Sequence, residues 1–288
     1  MNVPQSNAHY AAIWLLPVAL YSADANAWGL YTHVYYAQLL LWAVPLADPR
    51  FRRAVRRFPE LLLSGACLPD VSLFSGWVGS HNLSRTHQWS VAHRLLREAR
   101  DDREAALATG YACHLLSDIV AHNYFVPDHE ALWHAPSHIA VHAASEWAMD
   151  AHLAGELFSR PGELLERHLP EIAGFATHHF GSTPRRTRRA LHYLMFGERL
   201  LRGAGVHRLA YRGACAADRG LLKRFDQYAG QTTQSLRQMD RLIAGDAPNW
   251  EPEPATDRLR AGTRPAEGRH HSLMLPRDFF VTPGGSRD

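Results

Sequence analysis

Lysine is almost missing from this chain: Lys223 is the sole lysine, and the other basic residues are all arginine. With 31 basic against 28 acidic residues the formal charge is only +3, which argues neither for nor against a polyanionic partner. Cysteine is scarce as well. Cys67, Cys113 and Cys215 are odd in number and form no Cys-x-x-Cys pair, so neither a disulfide framework nor a thiolate zinc finger is encoded. Beyond residue 27 no apolar run reaches membrane-span length. Strand-type alternation, Asn-Gly hairpins and a Gly-rich phosphate loop are also missing, which excludes the common β and nucleotide-binding architectures.

What is present in excess is histidine, 19 residues, most of them between Thr32 and His179. The most informative run is Gly110-Tyr-Ala-Cys-His114-Leu-Leu-Ser-Asp118-Ile-Val-Ala-His122. Four residues turn an α-helix by about 400°, so His114, Asp118 and His122 share one stripe of an otherwise apolar helix. Burying such groups without partners costs roughly 2–7 kcal/mol each, and more for a charge. Two readings satisfy them: a hydrogen-bonded His-Asp-His cluster, or a divalent metal. A second stripe, His138, His142 and Glu146, recurs at the same spacing in a later segment and can face the first across a bundle. His33, Asp70 in a Pro-Asp loop, and His81 or His87 are further candidates.

The first 27 residues read as an export signal. The apolar run Ala11–Tyr21 is followed by Ala25-Asn26-Ala27, a small-x-small cleavage site that leaves Trp28 first, although no Lys or Arg precedes the run. The expected location is therefore secreted or periplasmic. The mature chain reads as all-α over residues 28–247, with helices expected over 32–44, 51–63, 87–99, 103–124, 137–158, 162–179, 184–202 and 216–243. Residues 248–288, rich in Pro, Gly and Arg, read as a poorly packed tail.

The order Trp28-Gly-Leu-Tyr-Thr-His33, Pro69-Asp70, His114-x3-Asp118 with His122, then His142-x3-Glu146 resembles the zinc-dependent phospholipase C family, whose helical three-zinc fold is shared with secreted nucleases. The resemblance implies a multi-helix bundle with a metal cluster between helices. It implies one zinc held by Trp28, through its free amino nitrogen and carbonyl oxygen, and by His33, with Asp118 bridging to a second. That second zinc takes His114 and His87, with His81 as the alternative; a third takes His122, His142 and Glu146. Asp70 matches the aspartate assigned as general base. One departure is plain: the family's second histidine falls six residues after the bridging aspartate, a position occupied here by Tyr124, so His122 is its nearest substitute.

The chemistry implied is phosphodiester hydrolysis, since zinc ions bound by imidazole and carboxylate stabilise charge on phosphate oxygens. Glu146 resembles the phospholipases, whereas the short Trp-Gly-x-x-Thr-His start has the nuclease spacing. Glycerophospholipid headgroup cleavage is the expected activity, with secreted nuclease or nucleotidase, and an inactive zinc-stapled helical protein, as alternatives. Lipid contact of a peripheral kind would fall to exposed aromatics such as Tyr31, Trp77 or Trp133, and the Pro184-Arg-Arg-Thr-Arg-Arg run reads as a solvated helix face. Other metal chemistries fit less well. A di-iron bundle needs paired Glu-x-x-His motifs, and His129-Glu130-x3-His134 misses the zinc-protease spacing by one residue.

Overall fold

The computed structural model describes residues 29–133, 138–252 and 278–280, with the backbone alone for residues 138 and 139. The export signal, Trp28, His134, and most of the C-terminal tail lie outside the described residues. Among those described, every regular element is helical. The chain is all-α, as its periodicities imply.

The first half of the chain builds α1 (Leu30–Ala43), α2 (Pro49–Arg57), α3 (Pro59–Gly65), tight turns over Pro69–Phe74 and His81–Arg85, α4 (Trp89–Glu98) and α5 (Asp102–Val120). A π-turn over Ala121–Phe125 follows and runs directly into α6 (Val126–Trp133). After it come α7 (His138–Leu153), α8 (Pro161–Arg167), α9 (Leu169–Phe180), α10 (Pro184–Gly203), α11 (Val206–Ala217), α12 (Leu221–Ser235) and α13 (Met239–Ile243).

Local chemistry fixes the boundaries. Asp48 accepts from the amides of Arg50 and Phe51, with Pro49 opening α2. Asp101 likewise accepts from Arg103 and Glu104 at the start of α5. Each cap satisfies donors that the first helical turn cannot. The expected single helix over 51–63 is instead two, because Pro59 has no amide to continue the ladder and Phe58 leaves helical geometry at φ −129°. Pro127 does not end the helix: α6 follows the π-turn directly, and helical structure continues to Trp133, past the expected stop. The helix expected over 216–243 starts at Leu221, and α11 before it was not anticipated; Gly205 at φ +67° separates α11 from α10.

α5 is the axis of the bundle. It is buried on nearly every side, packs against α1, α2, α3 and α4, and supplies much of the core. Its approach to α3 is a backbone contact: a Cβ on Gly110 would lie 1.9 Å from the Leu62 carbonyl oxygen, and one on Gly65 would lie 2.2 Å from that of Leu107. Only glycine permits that distance. The second layer of the site, α7, packs against α1, α6 and α11. Parts of the tail are better packed than their composition suggests. Phe279 is fully buried, its amide donates to Gln238 Oε1, and Asn249 donates to its carbonyl.

Candidate metal centre

The polar stripe of α5 faces inward, and other elements bring their chemistry to it. His33 comes from α1, Asp70 from the turn after α3, and His87 from the residue pair preceding α4; all are buried with His114 and Asp118. Asp118 stands in the middle with its two oxygens facing different partners. Its Oδ2 lies 3.0 Å from His114 Nε2 and 3.6 Å from His87 Nε2, while Oδ1 lies 3.4 Å from His33 Nε2 and 3.9 Å from His122 Nε2. Asp70 Oδ1 is 3.7 Å from both His87 and His114 Nε2. His87 takes the place in the wall; His81, the alternative, is exposed on its turn.

Neighbouring groups decide which nitrogen each imidazole presents. The Ser117 hydroxyl donates to the His114 carbonyl, 2.8 Å, so it accepts from His33 Nδ1, 3.0 Å away. That leaves Nε2 as the lone-pair nitrogen on the side of Asp118. His114 Nδ1 donates to the Ala66 carbonyl, 2.7 Å, which the close α3–α5 approach places within reach. Thr86 gives its hydroxyl proton to the Pro69 carbonyl, 2.6 Å, and lies 3.5 Å from His87 Nδ1, while the Tyr111 hydroxyl donates to the Thr86 carbonyl. The His33 and His114 rings stack at 3.5 Å, a spacing that fixes both planes.

Electrostatics follow from this geometry. Burial pulls the His114 pKa down, but Asp118 and Asp70 outweigh it and raise it to about 9. Burial raises the Asp118 carboxyl above its ordinary value against the opposing effect of His114. His87 goes the other way, held well below the ordinary imidazole value by burial and then by His114. Both Asp118 oxygens are buried without a well-aligned donor. Several imidazoles and two carboxylates converging in a buried space form an environment that a divalent cation can satisfy.

Three sets of atoms lie close enough together to hold a metal ion. They are His33, Asp70 and His114; His87, His114 and Asp118; and His122, His142 and Glu146. The third set includes a residue of the π-turn. A π-turn adds a residue to the helical repeat, and His122 within it is turned toward α7, its ring 5.3 Å from that of His142, whose Nε2 lies 2.9 Å from Glu146 Oε1. Asn123 braces the turn by donating to the Ile119 carbonyl, 3.0 Å. The structure therefore brings together His33, Asp70, His87, His114, Asp118, His122, His142 and Glu146, and leaves His81 apart. Trp28 lies outside the described residues.

The model of the family described as zinc dependent phospholipase C matches residues 32–183, more than half of the 288 residues and the whole of the described site. The chain belongs to the zinc-dependent phospholipase C family. No curated protein and no solved structure matches the chain significantly. Zinc is thus the family's metal, and the clustered His, Asp and Glu side chains are the donors it prefers.

The residues that orient the candidate ligands have little mark in the sequence. Ser117, Thr86 and the Ala66 carbonyl carry no motif. Asp150 had a signal, since it continues the α7 stripe four residues beyond Glu146. Its Oδ1 accepts from the Thr32 amide, 2.9 Å, and hydroxyl, 2.7 Å, beside His33, and its Oδ2 meets Arg202. A Cβ on Gly29 would lie 2.0 Å from that carboxylate, which explains glycine after Trp28.

Proposed function

We propose that this chain is a zinc-dependent phosphodiester hydrolase that cleaves the phosphorylated headgroup from glycerophospholipids. The observation that carries the reading is the Asp118 carboxylate, whose two oxygens face different histidines within a ligand set that follows the family's order along the chain. In this reading His33 and Trp28 belong to one ion, His87 and His114 to a second, and His122, His142 and Glu146 to a third, with Asp118 shared between the first two. Zinc supplies Lewis acidity toward phosphate oxygens and toward water when it is bound.

The protein's own groups do the remaining work. The Ser117, Ala66 and Thr86 contacts hold each imidazole in one tautomer and orientation, so the site needs little reorganisation as charge develops. Asp70 Oδ1, set between His87 and His114, takes a proton from the attacking water. Water oxygen bonds to phosphorus and the bond to the diacylglycerol oxygen breaks. The leaving oxygen takes up a proton, and the headgroup departs as a phosphomonoester.

Glu146 at the end of the third set favours lipid over nucleic acid. The short segment between Trp28 and His33 favours the nuclease alternative. Release of phosphocholine from phosphatidylcholine, measured beside cleavage of single-stranded DNA by the same zinc-loaded protein, separates them. Phosphocholine release is expected. Cleavage of DNA alone would reverse the assignment, and zinc content without turnover of either would favour a metal-stapled structural protein. Export with cleavage before Trp28 belongs to the same proposal, because an internal Trp28 has no free amine to offer; N-terminal sequencing of the secreted protein tests it.

A further inference from the structure

Of the three aromatics suited to lipid contact, the structure leaves one in a position to make it. Tyr31 is buried beneath the Arg202 guanidinium, and Trp133 donates its indole N–H to Asp218 Oδ2, 3.3 Å. Trp77 is 67% exposed and packs edge-on against Phe74 and Tyr193, each at 5.6 Å. Phe74 closes the same turn, Pro69–Phe74, that carries Asp70. The outer face of α10 continues the patch: Arg185, Arg189, Tyr193 and Phe196 follow one another at helical spacing, and Phe196 is 64% exposed. A surface depression beside them is lined by Pro184, Arg185, Arg188, Arg189, His192 and Tyr193.

Folding alone does not explain these arginines. The first turn of α10 carries no acidic residue, so Arg185 and Arg186 oppose the helix dipole. Nearby Arg199 and Arg202 meet Glu166 and Glu198, whereas Arg185, Arg188 and Arg189 meet no carboxylate among the described residues. The other exposed arginine cluster, on α2, differs on both counts: Arg53 and Arg57 share Asp102, and no exposed aromatic lines it.

We propose that Trp77, Phe196 and the arginines Arg185, Arg188 and Arg189 form the face by which the chain seats on an anionic phospholipid bilayer, beside the turn that carries Asp70. The inference rests on the phospholipid reading above and adds where the substrate's surface lies. Guanidinium groups attract the lipid phosphates, and an amphipathic indole with a neighbouring phenyl ring enters the headgroup layer. Because Trp77 packs on Phe74, the last residue of the turn that carries the buried Asp70, seating Trp77 places the bilayer beside that turn.

The test is flotation of the full zinc-loaded chain with vesicles of phosphatidylcholine alone and of phosphatidylcholine mixed with phosphatidylglycerol, at low and high salt. Binding to the mixed vesicles, weakened by salt, is expected. Arg185→Glu and Arg189→Glu should each lower partition by roughly fivefold or more, and Trp77→Ala should lower it at either salt concentration. Arg56→Glu on α2 should leave it unchanged. Equal loss on Arg56→Glu, no loss on Trp77→Ala, or binding of single-stranded DNA with no flotation would each overturn the proposal. Hydrolysis of a monomeric short-chain phosphatidylcholine needs no bilayer and reads the active site separately. Turnover of it without flotation discards the docking face alone, whereas flotation without turnover discards the phospholipid reading and leaves the docking face standing.

Discussion

The two ends of the metal wall are built differently. His33, Asp70, His87, His114 and Asp118 come from α1, two loops and α5, and each imidazole is oriented by a hydroxyl or carbonyl from a further residue. His122, His142 and Glu146 come from one π-turn and one helix, and His142 and Glu146 touch each other directly at 2.9 Å. The first set is over-determined, since displacing one element leaves the rest in place. The second is only as well placed as the π-turn that aims His122. The core end should therefore weaken by degrees when a single orienting group is removed and fail entirely when its central carboxylate goes, while the π-turn end should fail without disturbing the core end.

The largest effect is expected from Asp118→Asn. Loss of the shared carboxylate should lower phosphodiester turnover by at least about a thousandfold while the far-ultraviolet circular dichroism stays helical. Retained activity would show that Asp118 is a core hydrogen-bonding group.

Gly110→Ala tests whether the α3–α5 approach underlies the first set. The 1.9 Å clash is with backbone, so unfolding in urea should show a loss of about 3 kcal/mol. Gly174→Ala, with open space around it in α9, should instead gain about 0.5–1 kcal/mol.

Ser117→Ala leaves the fold intact and removes the acceptor of His33 Nδ1. Zinc affinity should fall about 10- to 100-fold by chelator competition. An unchanged affinity would mean that stacking on His114 alone orients His33.

A pH-dependent effect concerns α6, downstream of the π-turn. Burial holds His129 down to about 4 while its Nδ1 bonds the Phe125 carbonyl, 2.7 Å. A depressed imidazole pKa means that the unfolded chain binds the proton more readily, so stability is full above the ordinary value near 6.5 and falls as pH drops toward 4. His129→Gln should abolish about 2 kcal/mol of the acid destabilisation seen between pH 7 and pH 5 in thermal melts.

Much of the site was legible because its ligands obey helical arithmetic. His114, Asp118 and His122, and then His142 and Glu146, recur every four residues, and a run of buried polar groups at that spacing in apolar sequence has few explanations. The all-α class was legible for the same reason. What stayed hidden depends on contacts across the chain. A π-turn has no sequence mark of its own, so the Ala121–Phe125 turn that begins beside His122 is not legible, although His122 itself keeps its four-residue phase with Asp118. Ser117 and Thr86 act through hydroxyls whose partners lie 84 residues away and next door, and neither type announces a ligand-orienting role. α11 escaped notice between glycines, and Phe279, in a stretch that composition assigns to a loose tail, fills the core.

One wall of side chains is expected to hold zinc in two separable parts. Zinc per chain, measured by elemental analysis on the purified protein that begins at Trp28 and on two variants of it, is the measurement that separates the two parts. Three ions are expected in the wild type, two in His122→Ala, and one in Asp118→Asn. A wild-type chain that binds no zinc, or a His122→Ala chain that keeps the full complement, would contradict it.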